Sequence, residues 1–376
     1  MNVLKKILQS FPKKRRGRSL LILASVSVML LPLFMSSCGD YYEYDSASER
    51  DPKINVFISA NDLKYWIDNG YSDKYGHNRV VVLHVGAGYS EGHVPGAFKL
   101  GAFAELTGPR SDGVSNTAGM VSTKAQIDKV IQNSGIDGGT LIVLTSQKDS
   151  FTELAWTYFN FRYWGFPRSK LRVLDGFIGS TSTDGAWVEV GGELDKADPK
   201  TPEATEYSVC NLTQEPDRFR APLEDMIKVA GDNDPKTVIV DVRSADEYNG
   251  VDGATTSQDV AFEGHIRTAM WLNYIDLLDT DGTLLEYTAS IEDDDLGEKI
   301  YVYDDTGSRA AVMFLLLDGV LNYPVKLYDG GWLEWGQMAG GDKGDLDADS
   351  KWRTENPKNP LSAAVTFNAT VKPLSS

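Results

Sequence analysis

The chain has 376 residues, and 37 Lys and Arg residues against 54 Asp and Glu residues give it a net charge of −17. Such an acidic protein is a poor partner for nucleic acid and for anionic lipid surfaces, so we expect neither. With 41% apolar residues the chain is long enough for two ordinary cores. Its two cysteines, Cys38 and Cys210, are too few for a disulfide framework or a thiolate metal site, and we expect no metal and no cofactor.

The first 37 residues have the organisation of a secretory signal. A basic stretch, residues 5–18, precedes an apolar run, residues 20–35, that is short for a spanning helix of ~20 residues. The run ends in Met35-Ser-Ser-Cys38, which resembles the lipobox of bacterial lipoproteins. That resemblance implies cleavage before Cys38, acylation of its thiol and a lipid anchor in a membrane of the cell envelope. A plain signal-anchor helix is the alternative.

Loss of this segment would remove seven positive charges and no acidic residue, which takes the net charge from −17 to −24. The polar, acidic residues 38–55 predict a tether. Asp40, Glu43 and Asp45 resemble the surface-export signals of Bacteroidota lipoproteins, which implies the outer membrane and exposure at the cell surface. A protein partner in the envelope is a further expectation.

Helices and strands alternate in the next part of the chain, residues 56–184. Ser59 predicts a helix N-cap before apolar residues at helical spacing that continue to Ile67. Short β-branched runs predict strands at 80–85, 141–144 and 171–174, with helices at 124–132 and 152–163 between them. This alternation predicts an α/β domain with a mostly parallel sheet.

The pattern then repeats after a Gly-, Pro- and charge-rich linker, residues 185–206. Within residues 207–340 we predict helices at 223–230 and 309–317 and strands at 237–242, 299–303 and 325–328. An internal duplication of roughly 150 residues accounts for both halves. Residues 341–376 form an acidic and then polar tail to which we assign no domain.

Motifs also recur in the two halves. Glu91-Gly-His-Val-Pro-Gly-Ala97 is matched by Glu263-Gly-His-Ile-Arg-Thr-Ala269, and Asp241-Val-Arg-Ser-Ala-Asp-Glu-Tyr248 and Val325-Lys-Leu-Tyr-Asp-Gly-Gly-Trp-Leu-Glu-Trp335 accompany the second. Together they resemble the tandem rhodanese family of thiosulfate and 3-mercaptopyruvate sulfurtransferases. The resemblance covers about residues 56–336. It implies two rhodanese-like domains, each a mostly parallel sheet flanked by helices.

The repeated turn differs between the copies. Pro95 and Gly96 suit a type II turn, whereas Arg267 and Thr268 replace them in the second copy. Because a β-branched residue tolerates positive φ badly, we expect the second loop to take another path. We interpret His93 and His265 as loop-stabilising residues, not as acid, base or metal ligands.

In the rhodanese family the reactive cysteine follows a central strand and opens a loop that leads into a helix. Asp304 stands at that place in the second copy, and the first copy has no cysteine in its corresponding residues, 145–150. The degenerate loop continues with Asp305, Thr306, Gly307, Ser308 and Arg309, of which Gly307 and Arg309 match the family. We therefore expect no catalytic residue. A carboxylate at Asp304 would accept the loop N–H groups and plug the anion site, and Asp305 would add repulsion against thiosulfate.

Three other patterns have weaker functional readings. Asp305-Thr-Gly-Ser308 matches an aspartic-protease string, but no second copy of that string exists. Alternate acids from Asp345 to Asp349 are spaced as in calcium loops, yet Ser350 replaces the required glycine. Cys210 is interpreted as a small apolar residue in a short strand.

The sequence thus favours a lipid-anchored tandem rhodanese-like protein that is catalytically inactive and binds a partner or ligand at the domain interface. The alternative is an active thiosulfate or 3-mercaptopyruvate sulfurtransferase. With Cys38 acylated, that activity would need Cys210. A calcium-dependent surface module that uses residues 345–349 is the third hypothesis.

Overall fold

The computed structural model describes most of the chain between residues 51 and 338. The described residues are 51, 54–70, 79–100, 103–110, 119–180, 184–232, 234, 236–251, 253–255, 260, 263–278 and 299–338. The predicted signal, Cys38, all of the tether before Asp51, the tail and the acidic segment 345–349 lie outside them. Within the described ranges no helix is long and apolar enough to cross a membrane.

The first half contains a five-stranded parallel sheet in the order β1-β7-β6-β2-β3. Its strands are β1 (Phe57–Ile58), β2 (Arg79–Val85), β3 (Phe98–Leu100), β6 (Thr140–Ser146) and β7 (Leu171–Leu174). A small antiparallel pair, β4 (Thr107–Gly108) and β5 (Met120–Val121), lies apart from it. The helices are α1 (Ala60–Asp68), α2 (Lys124–Asn133), α3 (Phe151–Tyr163) and the short α4 (Ala186–Glu189).

The second half contains a four-stranded parallel sheet in the order β11-β10-β8-β9. Its strands are β8 (Thr237–Asp241), β9 (Met270–Trp271), β10 (Lys299–Tyr303) and β11 (Val325–Tyr328). The helices are α5 (Pro216–Phe219), α6 (Leu223–Asp232), α7 (Ala245–Tyr248), α8 (Ala310–Phe314), which continues as a π-helical turn at Leu315–Val320, and α9 (Gly331–Met338). The predicted α/β class with parallel sheets flanked by helices is confirmed.

Local sequence signals explain where several elements begin. The Ser59 hydroxyl accepts a hydrogen bond from the Asp62 amide, and Thr123 with Gln126 forms a capping box at the start of α2. Every residue of β6 is buried, as expected for a central parallel strand covered on both faces. The predicted strands 171–174, 299–303 and 325–328 are found with the same bounds.

Helix α3 is the main link between the first and second halves of the described chain. Eleven of its residues are buried, and it packs against α8, where the Phe159 and Phe314 rings meet edge to face with centroids 5.0 Å apart. A helix that is buried over most of its surface belongs in an interior, and here the interior is shared by the two copies.

A buried ionic cluster joins the halves at the end of α3. The Asp318 carboxylate accepts hydrogen bonds from Arg162 Nε at 2.7 Å, Arg168 Nη2 at 2.7 Å and the Tyr158 hydroxyl at 2.7 Å. Asp51 pairs with the same two arginines at 2.7 and 3.0 Å. Because the positive and negative groups alternate, each buried charge has a partner, and the arrangement fixes the two copies against each other.

The prediction that the second repeated turn takes another path is wrong. Thr268 adopts φ of 68°, close to the 78° of Gly96 in the first copy. The Ala269 amide donates to the Ile266 carbonyl at 3.0 Å, as the Ala97 amide donates to the Val94 carbonyl at 3.0 Å. The surrounding fold therefore holds a β-branched residue in a left-handed conformation that its own preference disfavours.

Candidate functional site

The loop of residues 304–309 lies between the carboxyl end of β10 and the start of α8. Its conformation depends on Gly307, whose φ of 95° is in the glycine-favouring region. A Cβ atom at Gly307 would come within 2.7 Å of the Trp156 ring, so the first half of the chain closes over the loop. Gly119, also from the first half, approaches Thr306.

Asp304 is buried, and its carboxylate closes the loop. Oδ1 accepts the Gly307 amide at 2.5 Å, and Oδ2 accepts the Arg309 amide at 3.1 Å and Arg309 Nε at 3.3 Å. The expected acceptance of loop N–H groups by this carboxylate is thus seen in the structure. These are the N–H groups that an anion at the start of the helix would otherwise engage.

Asp305 lies beside two guanidinium groups. Its Oδ2 is 2.9 Å from Arg309 Nη2, and its Oδ1 is 3.6 Å from Arg243 Nη1. Burial raises the pKa of Asp305 to about 7, although Arg309 and Arg243 act in the opposite direction. The predicted repulsive charge is therefore offset by neighbouring cations and partly titrated near neutral pH.

Arg309 is engaged on its other side by Glu247. Both Glu247 oxygens accept from the guanidinium, at 2.8 and 3.0 Å, and the Ser244 amide donates to the same carboxylate at 2.9 Å. Burial alone would raise the pKa of Glu247, but hydrogen bonds from Arg309 and Ser244 lower it to about 2. The loop arginine is thus shared among three carboxylates, which leaves little positive charge for an incoming anion.

Arg243 is fully buried below the loop. It donates to Asp241 at 2.7 and 3.0 Å, and its guanidinium carbon lies 4.6 Å from the centre of the Trp332 ring. Asp241 also accepts the Tyr303 hydroxyl at 2.6 Å. The Asp-Val-Arg motif therefore forms a rigid floor for the loop rather than a free cationic site.

The loop is held from a third side by α9. The Trp332 amide donates to the Asp304 carbonyl at 2.7 Å, and the Leu333 amide donates to the Asp305 carbonyl at 3.3 Å. Just before α9, Asp329 accepts Arg220 Nε at 2.8 Å and the Val121 amide of the first half at 2.9 Å. The predicted strand and turn after residue 325 thus clamp the loop against the first copy.

Strand register identifies the residue of the first copy that corresponds to Asp304. Leu83 pairs with Phe98 and Leu144, as Val240 pairs with Met270 and Val302. Two residues further along β6 and β10 the counterparts are Ser146 and Asp304. The Ser146 hydroxyl is buried and makes no hydrogen bond within the described part of the chain.

The two histidines occupy equivalent structures. His93 Nδ1 lies 2.8 Å from the Tyr89 carbonyl and His265 Nδ1 lies 2.7 Å from the Tyr248 carbonyl, and each tyrosine ring stacks on its histidine. Each tyrosine hydroxyl donates to an alanine carbonyl of the repeated turn, at 2.8 and 2.9 Å. This geometry agrees with a loop-stabilising role. Sequence reasoning missed Tyr89, although its place before Glu91-Gly-His93 was a usable signal.

Comparison with known proteins places this arrangement in a family. The rhodanese-like domain family matches residues 225–338. The sulfur carrier protein TtuD of Thermus thermophilus is 30% identical over 269 residues, which cover 67% of this chain and 85% of that protein. The chain belongs to the rhodanese-like family.

Another relative and two solved structures match similar or larger shares of the chain. A thiosulfate sulfurtransferase of Corynebacterium glutamicum is 28% identical over 258 residues, which cover 66% of this chain and 79% of that protein. Among solved structures, wild-type EanB superimposes with a TM-score of 0.60 at 21% identity and covers 77% of this chain and 69% of its own. YnjE gives a TM-score of 0.60 at 18% identity over 79% of this chain and 70% of its own. These two structures support the fold alone.

The expected position of Cys210 in this rhodanese-like chain is corrected by the structure. It lies in a short 3-10 helix, Val209–Asn211, not in a strand, and its side chain is exposed instead of packed as an apolar residue. Ser208 caps the turn by accepting the Cys210 amide, a local geometry that favours a turn over an extended segment. Cys210 is the free cysteine of the described residues.

Proposed function

We propose that this rhodanese-like protein is a catalytically inactive member of its family that binds a partner or ligand at the interface of its two copies. The observation that carries the proposal is the Asp304 carboxylate, which occupies the position from which the family's cysteine would act. A persulfide intermediate needs a thiolate at that point, and a carboxylate supplies none.

The surroundings of Asp304 support this proposal. Its oxygens take the Gly307 and Arg309 amides, so the backbone donors that could hold an anionic substrate are already bound. Arg309 is itself shared with Glu247 and Asp305. A sulfur donor such as thiosulfate would find the loop N–H groups occupied by Asp304 and the positive charge of Arg309 neutralised by carboxylates.

Binding at the interface is supported by the position of the loop between the copies. Thr306 and Ser308 are partly exposed, whereas the loop backbone is fixed by Trp156 on one side and by α9 on the other. A rigid loop of this kind can present side chains to a partner without an ordering cost.

Turnover measurements test the proposal directly. The mature protein should form no thiocyanate above the blank from cyanide with thiosulfate or with 3-mercaptopyruvate. Asp304→Cys should place a titratable thiol in the loop, with Asp304→Ser as the matched variant that changes the loop without adding a thiol. Thiocyanate formation by the wild type over many turnovers, with substrate in large excess over protein, would refute the proposal that the protein is inactive.

An active sulfurtransferase is the second candidate, because relatives carry that name and Cys210 is an exposed thiol. In that reaction the Cys210 thiolate would take the outer sulfur of thiosulfate, sulfite would leave, and cyanide would remove the sulfur as thiocyanate. The candidate predicts that Cys210→Ser abolishes turnover and that Ser208→Ala, in the same turn, does not.

We also propose that Cys38 carries the lipid anchor in the cell envelope. Wild-type protein made in its native envelope should partition into detergent and release acylated amino-terminal peptide on digestion. Cys38→Ala should keep its signal segment uncleaved and yield no acylated peptide. Partitioning of the wild type into the aqueous phase would contradict the proposed lipid anchor.

A further inference from the structure

A large cavity lies in the first copy, on the opposite half of the chain from the 304–309 loop. It has a volume of about 1040 Å³, at the upper end of the range usual for small-molecule sites. Part of its wall follows the carboxyl end of β2, at Gly86 and Ala87, and part is Glu153 in the first turn of α3.

Sheet topology marks this position as a place where ligands bind. The chain leaves β2 towards β3 on one side and leaves β6 through α3 towards β7 on the other. Neighbouring parallel strands whose connections diverge open a crevice at their carboxyl ends, and ligands of open α/β sheets occupy such crevices.

The two copies differ in what fills this crevice. Leu83 and Val240 occupy equivalent positions in the two sheets. Gly86 comes three residues after Leu83 and Arg243 comes three residues after Val240, so the two correspond. In the second copy the Arg243 side chain is buried against Asp241 and Trp332. In the first copy Gly86 has no side chain, and the Ser150 and Glu153 side chains take that place instead, since a Cβ atom at Gly86 would lie 2.3 Å from Ser150 Oγ and from Glu153 Oε2.

The linker supplies an ordered wall to the cavity. Residues 199–202 line it, and the chain just after them is tied to the end of α2. The Thr205 amide donates to the Gln132 carbonyl at 3.2 Å, and its hydroxyl donates to the Ile136 carbonyl at 2.6 Å. A segment read from sequence as a simple connection therefore closes a site.

The lining combines an apolar surface with lysines. Phe98, Leu100 and Val130 supply apolar area, and the cationic groups are Lys99, Lys129 and Lys200. None of these lysines forms an ion pair with a carboxylate among the residues that the structure describes. Two carboxylates, Glu105 and Glu153, also line the cavity, and burial raises the pKa of Glu153.

We propose that this cavity binds a small organic anion with an apolar body, such as an aromatic or branched carboxylate or sulfonate. The three lysines outnumber the two carboxylates of the lining, so the cavity is locally positive on a chain whose net charge is −17. The apolar residues provide the contact area that a fully polar anion could not use. This site is independent of the inactive 304–309 loop.

The probe for this proposal is the fluorescent anion 1-anilinonaphthalene-8-sulfonate, which is titrated against the folded, full mature protein. We expect saturable binding, weakened about tenfold or more by Lys129→Glu, since one charge pair of this kind is worth about a factor of ten. Lys228→Glu makes the same charge change on the exposed surface of α6 and should leave the affinity within twofold.

A second pair of variants tests whether the probe binds in this cavity, by placing a large side chain inside it or outside it. Ala87→Trp should fill the cavity and abolish probe binding, whereas Ala125→Trp, at an exposed position of α2 outside the lining, should not. Circular dichroism would confirm that both variants fold. Probe binding unchanged in both Ala87→Trp and Lys129→Glu, or no saturable binding by the wild type, would overturn the proposal.

The uncharged analogue N-phenyl-1-naphthylamine tests the charge preference. It should bind at least tenfold more weakly than the sulfonate to the same protein. Equal affinity for both probes would overturn the assignment to an anion, and neither result depends on whether thiocyanate is formed.

Discussion

The two rhodanese-like copies place different residues at the same point of the fold. At the end of β10 the Asp304 carboxylate is fully used by the loop that follows it, whereas at the end of β6 the Ser146 hydroxyl is buried without a hydrogen bond among the described residues. One position organises its loop and the other does not. The comparison shows that equivalent strand ends of one fold can carry side chains with different hydrogen-bonding roles.

The largest expected effect is on the buried ion pair of Asp241 and Arg243 in the second copy. Asp241→Ala should lower the free energy of unfolding by about 3–5 kcal/mol, because it leaves the buried Arg243 without its main partner. His84→Ala changes the equivalent position of β2 and should cost roughly 1–3 kcal/mol, because the Ala87 carbonyl loses a partly buried hydrogen bond and the buried imidazole leaves a cavity. Denaturant titration of both variants measures the difference. Equal losses would mean that the ion pair adds nothing to the second copy.

The loop position itself provides the next comparison. Asp304→Ala should destabilise the protein by about 1–3 kcal/mol, since the Gly307 and Arg309 amides lose their acceptor in a buried setting. Ser146→Ala should change stability by no more than about 0.5 kcal/mol because its hydroxyl has no bond to lose. Unfolding midpoints of the two variants provide the test, and a larger loss from Ser146→Ala would reverse the comparison.

The repeated turn gives a smaller effect of opposite sign in the two copies. Thr268→Gly should stabilise the protein by roughly 0.5–1 kcal/mol, because glycine relieves a left-handed conformation. Gly96→Ala should destabilise it by about 1 kcal/mol, as its φ of 78° disfavours any side chain. Thermal melting of each variant against wild type would show the two signs, and stabilisation by both would contradict this reading of the turns.

The last comparison is the pH dependence of stability that Asp305 gives to the second copy. The folded-state pKa of Asp305 is raised from its ordinary 3.8 to about 7, so the folded protein holds a proton that the unfolded chain releases. Stability from this group is complete below about pH 4 and is lost as the pH rises towards 7. Asp305→Asn should therefore gain stability relative to wild type across that interval. Asp246→Asn, an exposed acid of α7, is the control and should show no such trend.

Much of this fold could be predicted from sequence, for physical reasons that the particular elements show. Strands at 299–303 and 325–328 are short, strongly β-branched or aromatic runs between turn residues, and such signals are local. The duplicated Glu-Gly-His motif fixed the correspondence between copies. The acceptor role of Asp304 followed from the chemistry of a helix start.

What could not be predicted depends on contacts between distant residues. The match of Ser146 to Asp304 required strand register, and the closure of Trp156 over Gly307 joins the two halves of the chain. Thr268 was misjudged because tertiary packing overrode its intrinsic preference. The raised pKa of Asp305 likewise comes from burial, which a linear pattern does not reveal.

Intact-mass measurement of the mature protein after incubation with excess thiosulfate tests whether the chain takes up sulfur. We expect no mass gain of one sulfur atom on the wild type, because the carboxylate of Asp304 cannot carry a persulfide and occupies the donors that would hold the substrate. A stoichiometric gain of one sulfur atom that cyanide removes, mapped by digestion to Cys210 and lost in Cys210→Ser, would contradict it.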